Sequence, residues 1–210
     1  MRLTARTAQA LALAIEAHDG QVRKGTTIPY IAHPMGVASL ALSYGADEDQ
    51  TIAALLHDTL EDGGPQYVER IREQFGDNVL RLVEGCTDEL PDAGGRKAPW
   101  EARKRRYLAH LNEASDDVLL VSGCDKLYNA RAIVGDLLAM GQAVFDRFTA
   151  GREQTLWYYQ NLAAVYMARG TAMAEALHQE VERMRTLAGV PESRAETDGP
   201  DRDHRGRGAV

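Results

Sequence analysis

The segment TIAALLHDTLED, residues 51–62, decides how the rest of this sequence is interpreted. Its apolar residues recur at helical spacing, and its polar end carries His57, Asp58, Glu61 and Asp62. On a continuous α-helix, Glu61 lies one turn beyond His57 and Asp58, and Asp62 lies one turn beyond Asp58. Three carboxylates that close repel one another, so a divalent cation is one way to hold them together. A solvated acidic helix end is the alternative interpretation.

Length and charge limit the classes of protein to consider. The chain has 210 residues, enough for one domain with a sizeable core. Its net charge of −7 argues against a general nucleic-acid-binding surface, so an anionic ligand needs a local basic pocket. Cys86 and Cys124 form neither a metal-binding spacing nor a disulfide framework.

The N-terminal segment is apolar enough to be mistaken for a signal peptide. It is rich in alanine, however, Gln9 and Glu16 interrupt it, and no small-residue cleavage site follows, so we interpret it as an amphipathic first helix. No stretch is long and apolar enough to span a bilayer, and the expected location is the cytoplasm. The sequence does not indicate the oligomeric state.

Helical periodicity runs along the chain without strand alternation, which predicts an all-α fold. The expected helices cover residues 4–18, 35–44, 51–62, 65–75, 77–85, 100–112, 116–140, 153–169 and 171–187, and residues 88–99 are expected to form a surface loop. Asp47 and Ser115 are the expected caps of the third helix and of the long seventh helix. The predicted domain is residues 1–188, and residues 189–210, almost without large apolar side chains, are predicted to form a disordered tail.

A basic loop, GQVRKGTTIPYIAHP at residues 20–34, precedes the second helix. Pro34 suits the first turn of that helix, which predicts that His33 lies just outside it and faces a cleft. Arg23 and Lys24 are ordinary solvated cations when taken alone. Ten residues before a possible ligand histidine, they could also serve a phosphate.

Asp125 lies in SGCDKLYNAR on the long seventh helix, which is apolar on its flanks and is expected to be largely buried. A buried carboxylate requires a metal ion or a basic partner. Lys126 is expected not to be that partner, because it projects about 100° away on an ideal helix. A salt bridge to a distant arginine remains the alternative. Of the basic run at residues 103–106, only one or two side chains are expected to face inward.

The order of these elements resembles the HD phosphohydrolase superfamily, all-helical enzymes in which two histidines and two aspartates hold a divalent metal. More closely, HDGQVRKGTTIPYIAHP, ALLHDTLED, CDKLYNAR and LWYYQNL resemble the hydrolase domain of the Rel/SpoT family, whose stand-alone members are small alarmone hydrolases. The resemblance covers about residues 1–188. It implies a single HD-domain helical bundle.

The resemblance also implies a reaction, hydrolysis of the 3′-pyrophosphate of ppGpp or pppGpp to GDP or GTP, which degrades the alarmone of the stringent response. It implies His33, His57, Asp58 and Asp125 as ligands of a divalent metal, most often Mn²⁺. Glu61 and Asp62 match the acidic pair that positions or activates the attacking water. The implied nucleotide contacts are Arg23, Lys24, Thr26, Lys104, Asn129, Arg152 and Tyr159.

Two departures from the family pattern leave the substrate open. Ala132 stands where many members have threonine, and the segment between Asn129 and the aromatic run at residues 157–159 is longer than in compact members. An adenine alarmone of the pppApp type or NADPH is therefore an alternative substrate for the same metal site. A non-catalytic nucleotide-binding sensor is the alternative from another class.

Overall fold

The computed structural model describes residues 2–89 and 96–190, and its helices follow one another through short connections. The described α-helices are α1 (Ala5–Ala17), α2 (Ala32–Ser43), α3 (Glu48–Leu56), α4 (Tyr67–Phe75), α5 (Asp77–Cys86), α6 (Trp100–Glu113), α7 (Asp116–Met140), α8 (Gly151–Ala168) and α9 (Ala174–Leu187). A π-helical turn, Thr59–Gly63, follows α3, and a 3₁₀ segment, Gly141–Arg147, follows α7. Within the described ranges, β structure is limited to one antiparallel bridge between Val22 and Pro29. The all-α prediction is confirmed.

The long helix α7 lies at the centre of the bundle and packs against α2, α3, α5, α8 and α9. Leu119, Leu127 and Ala130 on this helix are fully buried. Burial of a leucine side chain contributes roughly 1.5–3 kcal/mol relative to exposure, so this contact surface holds α7 in a fixed position. Any polar side chain that α7 carries inward is therefore held equally firmly.

Local chemistry sets the helix ends near the predicted positions. Thr4 caps α1 by accepting a hydrogen bond from the Arg6 N–H. Asp47 and Gln50 form a reciprocal capping box at α3. Ser115 occupies the cap position of α7 as predicted, but its hydroxyl makes no capping hydrogen bond.

Two predicted boundaries near the site were wrong. His33 lies inside α2 rather than before it, because the helix begins at Ala32 and Pro34 is its third residue. Pro34 is tolerated there, since the N–H groups of the first helical turn have no intrahelical partner and the missing one is not needed. The third helix ends at Leu56, and the chain continues through His57 and Asp58 into the wider turn at Thr59–Gly63. The acidic residues beyond His57 therefore do not follow ideal α-helical spacing.

The predicted tail, residues 189–210, lies outside the described residues except for Gly189 and Val190, which make backbone hydrogen bonds to the last turn of α9. Of the predicted surface loop, residues 88, 89 and 96–99 are described and form neither helix nor strand. Across the described part of the chain, no helix combines the length and the apolar character needed to cross a membrane. The division of the chain at residue 188 stays a prediction.

Candidate active site

Four predicted metal ligands come from three helices that pack together. His33 lies in the first turn of α2, His57 and Asp58 follow the last residue of α3, and Asp125 lies midway along α7. Because α7 packs against both α2 and α3, the fold brings these side chains to one point. His33, His57 and Asp125 are only 1, 2 and 5% exposed.

The donor atoms of this cluster are close to one another. The Nε2 atoms of His33 and His57 are 3.2 Å apart. Asp58 Oδ2 lies 3.3 and 3.1 Å from these two nitrogens, and Asp125 Oδ1 lies 3.2 and 3.6 Å from them. Ligand atoms bound to one cation at about 2.0–2.2 Å are themselves roughly 3.0–3.6 Å apart. The spacing of His33, His57 and Asp58 therefore fits a single divalent ion, and Asp125 Oδ1 lies within 3.6 Å of both imidazoles beside them.

Hydrogen bonding at His57 supports the same interpretation. Its Nδ1 lies 2.9 Å from the Ala54 carbonyl oxygen and donates to it, which leaves a lone pair on Nε2. This arrangement, with one ring nitrogen fixed by a carbonyl, is usual for metal-binding histidines. Two imidazoles and two carboxylates suit a borderline or hard divalent ion better than a structural zinc site rich in thiolates.

The electrostatics of the cluster favour a cation. Burial raises the pKa of Asp125, but Lys126 and the two imidazoles outweigh this effect and hold that pKa well below its usual value. Burial lowers the pKa of His57, and the carboxylates of Asp58 and Asp125 more than reverse this, so that its pKa is well above the ordinary value. The field of two ionised carboxylates would stabilise a divalent ion at this point as it stabilises a proton.

Two neighbours on α7 fix Asp125, and one of them contradicts the sequence analysis. The expectation that Lys126 cannot reach Asp125 was wrong, because its Nζ donates to Asp125 Oδ2 at 2.6 Å. The long lysine side chain bends back along the helix, so the direction of its Cβ does not limit its ammonium group. The Asn129 amide donates to Asp125 Oδ1 at 2.6 Å. Sequence reasoning missed Lys126 as a site residue.

Tyr30 is a second residue that sequence reasoning missed. Its hydroxyl donates to Asp58 Oδ2 at 2.7 Å, and its ring packs against the rings of His18 and His33. Burial and the nearby carboxylates raise the pKa of Tyr30, so the phenol keeps the proton that it donates. Its place three residues before His33 in PYIAHP was the available signal.

The predicted catalytic pair, Glu61 and Asp62, has two different environments. Glu61 accepts hydrogen bonds from the Asp88 N–H at 2.7 Å and from Lys97 Nζ at 3.0 Å. Asp62 lies 3.9 Å from Nδ1 of the buried His18. Burial, followed by the negative charge of Asp58, raises the pKa of Asp62 above the usual carboxyl value.

Five predicted nucleotide contacts line one cavity of about 570 Å³, a volume typical of small-molecule sites. They are Arg23, Lys24, Thr26, Asn129 and Tyr159. Arg23 donates to Asn129 Oδ1 at 2.7 Å, and Asn129 bonds to Asp125, so the cavity and the metal cluster share a hydrogen-bonded chain. Ala132 also lies in the cavity wall, so the departure from the family's threonine changes the wall itself.

Lys104 lines an adjoining cavity of about 210 Å³ that shares Lys24 and Tyr159 with the first. In the basic run, Arg103 and Lys104 are 15 and 17% exposed, whereas Arg105 and Arg106 are 62 and 59% exposed. This confirms that only two of the four side chains face inward. A cleft of about 610 Å³ beside Asp116 and Arg169, at the start of α7, contains none of the predicted site residues.

Arg152 is not placed with the other predicted contacts. Its guanidinium donates to the Ala188 carbonyl at the end of α9, so it links the first turn of α8 to the last turn of α9. The cavity instead receives Arg147, which sequence reasoning missed. Arg147 pairs with Asp136 at 2.9 Å and packs so tightly against Gly25 that a Cβ there would lie 2.7 Å from its side chain. The signal was a basic residue between Phe145 and Phe148 in the longer segment.

Comparisons with known proteins agree with the geometry. The sequence profile of the HD domain family matches residues 10–156. The chain is 39% identical over 126 residues to the guanosine-3′,5′-bis(diphosphate) 3′-pyrophosphohydrolase MESH1 of Xenopus tropicalis, a match that covers 59% of this chain and 66% of that protein. It is 51% identical over 126 residues to the guanosine-3′,5′-bis(diphosphate) 3′-pyrophosphohydrolase of Aquifex aeolicus, which covers 60% of this chain and 17% of that protein. The chain thus spans just under two thirds of the frog protein and about one sixth of the bacterial one.

Solved structures share the fold. A structure described as a metazoan ortholog of SpoT that hydrolyzes ppGpp superposes with a TM-score of 0.69 at 24% identity, over 91% of this chain and 99% of the other. A crystal structure from Listeria monocytogenes EGD-e superposes with a TM-score of 0.61 at 25% identity, over 75% of this chain and 99% of the other. With the family profile covering most of the described helices and the His–Asp cluster at their centre, the chain belongs to the HD domain family.

Proposed function

We propose that this protein is a metal-dependent hydrolase that removes the 3′-pyrophosphate of ppGpp or pppGpp and leaves GDP or GTP. The main observation behind this proposal is the buried cluster of two histidines and two aspartates. Asn129 links this cluster by hydrogen bonds to a cavity lined by basic residues. The names of the frog and Aquifex relatives support the choice of substrate and reaction.

The metal of this proposal is Mn²⁺, held by His33, His57, Asp58 and Asp125. When bound, such an ion supplies Lewis acidity toward a phosphate oxygen and toward water. The mixed imidazole and carboxylate donor set supports a borderline-to-hard ion. The roles of these four residues rest on their mutual distances and their burial.

The cavity would bind the nucleotide, with Arg23, Lys24 and Arg147 offsetting the charge of a polyphosphate that the acidic chain as a whole repels. Tyr159 and Thr26 complete the wall that would face the nucleoside, and Asn129 would link that part of the nucleotide to the metal ligands. Lys104, in the adjoining cavity, would contact the phosphates.

The two acidic residues divide the remaining work. Both carboxylate oxygens of Glu61 accept hydrogen bonds, which makes this residue a well-fixed positioning group. Asp62, with its raised pKa, is better suited to accept the proton of the attacking water. We assign proton transfer to Asp62 and orientation to Glu61.

Product analysis tests the proposal. Purified, chelator-treated protein is incubated with ppGpp with and without added Mn²⁺, beside parallel reactions with pppApp, NADPH and ATP. Manganese-dependent release of GDP and pyrophosphate, faster than turnover of the other nucleotides, is the expected result.

The other outcomes point to the alternatives. Turnover of pppApp or NADPH without turnover of ppGpp would retain the metal site and replace the substrate. Tight nucleotide binding with no turnover would replace the enzyme by a nucleotide-binding sensor. The cytoplasmic location and the link to the stringent response stay predictions.

A further inference from the structure

The connection between α5 and α6 brings one carboxylate to the cations of the site. Asp88 Oδ2 accepts hydrogen bonds from Lys104 Nζ at 2.5 Å and from Arg103 Nη1 at 2.8 Å. The Asp88 side chain is only 6% exposed. Its backbone N–H donates to Glu61 Oε1, so the same residue contacts both the acidic and the basic part of the site.

These contacts give Lys104 and Arg103 a hydrogen-bond acceptor, but they involve only one of the two oxygens of the Asp88 carboxylate. Among the described residues, Asp88 is the hydrogen-bond acceptor that Lys104 reaches. The second oxygen, Asp88 Oδ1, is buried and has no hydrogen-bond partner within that part of the chain. A buried oxygen without a partner destabilises the folded state, because the hydrogen bonds that it made to water are not replaced. Asp88 is therefore held in this place by its charge and not by complete hydrogen bonding.

A carboxylate that accepts from a lysine and an arginine presents the same kind of oxygen acceptor as a phosphate group. We propose that Asp88 is an internal anion that occupies the Arg103–Lys104 cation pair, and that a phosphoryl group of the substrate displaces it. The proposal rests on the proposed function only in taking Lys104 as a phosphate contact. Asp88 is then a residue that sets substrate affinity.

Removal of the carboxylate charge should strengthen anion binding. Asp88→Asn keeps the size of the side chain and the backbone N–H that holds Glu61. It removes the carboxylate charge that Lys104 and Arg103 share, while Glu89 stays 4.0 Å from Arg103, and it removes a negative charge close to the incoming polyanion. We expect inorganic pyrophosphate to bind the variant about tenfold more tightly than the wild-type protein.

Calorimetric titration of the full chain, loaded with Mn²⁺, with inorganic pyrophosphate tests this. Asp117→Asn is the matched control, because it removes the same charge from a carboxylate that pairs with Arg81 on the protein surface. The control should change the pyrophosphate affinity less than twofold. Unchanged or weaker binding by Asp88→Asn, or an equal gain in the control, would overturn the proposal.

A second pair of variants identifies the cation. In a Lys104→Gln background, Asp88→Asn should give little further gain, because the displaced contact is already absent; a full tenfold gain there would contradict displacement at Lys104. Asp88→Ser replaces Asp88→Asn if the latter does not fold. Since pyrophosphate binding is measured without turnover, failure of ppGpp hydrolysis would remove the proposed function and leave this result standing.

Discussion

The proposed metal-ligand cluster and the basic side of the candidate site are built from different parts of the chain. The cluster is carried by α2, the end of α3 and α7, and its members are held by core packing. The cations that line the 570 Å³ cavity come instead from connecting segments: Arg23 and Lys24 from the loop before α2, and Arg147 from the 3₁₀ segment.

The difference concerns how each part is fixed. A side chain on a buried helix is positioned by every apolar contact of that helix, so the donor atoms are preorganised for an ion. A cation on a connecting segment is positioned by a few polar contacts, such as the pairing of Arg147 with Asp136. We expect substitutions in the cluster to abolish an activity, and substitutions on the basic side to change an affinity by degrees.

The largest expected effect is in the cluster. Asp58→Ala removes a charged donor that lies within 3.3 Å of both imidazoles, so we expect loss of Mn²⁺ binding. Turnover of ppGpp should fall by roughly 10³-fold or more, since a bound metal supplies several kcal/mol to the transition state. Calorimetry with Mn²⁺ and product analysis measure the two effects. Full activity in this variant would remove the assigned metal site, whereas Asp117→Ala should leave both quantities unchanged.

The acidic pair gives the next largest effect. Asp62→Asn should lower kcat by about 10²- to 10⁴-fold, the usual range for loss of a general base. Glu61→Gln should cost less, about tenfold, because it alters the orientation of the site and not the proton acceptor. Both variants should bind Mn²⁺ as the wild-type protein does. A larger loss for Glu61→Gln than for Asp62→Asn would reverse the assignment.

The helical part of this site could be predicted from sequence because local spacing determines it. The pattern at residues 51–62 predicted a cation site at its polar end, and the apolar flanks of Asp125 predicted its burial. The resemblance to the HD phosphohydrolases implied the set of His33, His57, Asp58 and Asp125, which the structure brings together. The prediction that failed in this part concerned the end of the third helix. Helical spacing alone could not show that α3 ends at Leu56 and that Glu61 and Asp62 then have separate partners.

The basic part could be predicted less well because tertiary contacts determine it. Arg147 and Arg152 are both basic residues near the start of α8, and nothing in their local sequence says which one reaches the cavity. In the structure, the Arg147 side chain packs against Gly25, and the Arg152 guanidinium donates to the Ala188 carbonyl outside the cavity. Lys126 was excluded by an ideal-helix argument that ignores the reach of four methylene groups.

Tyr30 joins the two parts and should have an intermediate effect. Its hydroxyl donates to Asp58 Oδ2, and its ring lies under the Arg23 guanidinium at 5.7 Å. Tyr30→Phe should weaken Mn²⁺ binding by roughly 10-fold, at the lower end of the range for residues that orient a metal ligand. Mn²⁺ titration by electron paramagnetic resonance measures this, with Tyr44→Phe as a control. Unchanged metal affinity would mean that Asp58 is oriented by its helix alone.

The smallest expected effect separates the two arginines. Arg147→Ala should raise the KM for ppGpp about fivefold with little change in kcat, because one charged hydrogen-bonding group is lost from the cavity wall. Arg152→Ala should leave KM within twofold and lower the melting temperature, since its contact closes α8 against the end of α9. Steady-state kinetics and thermal unfolding of both variants distinguish the roles. If Arg152→Ala raised KM instead, a cation on the packed helix α8 would also contribute to substrate binding. The cations that bind substrate would then no longer come only from connecting segments.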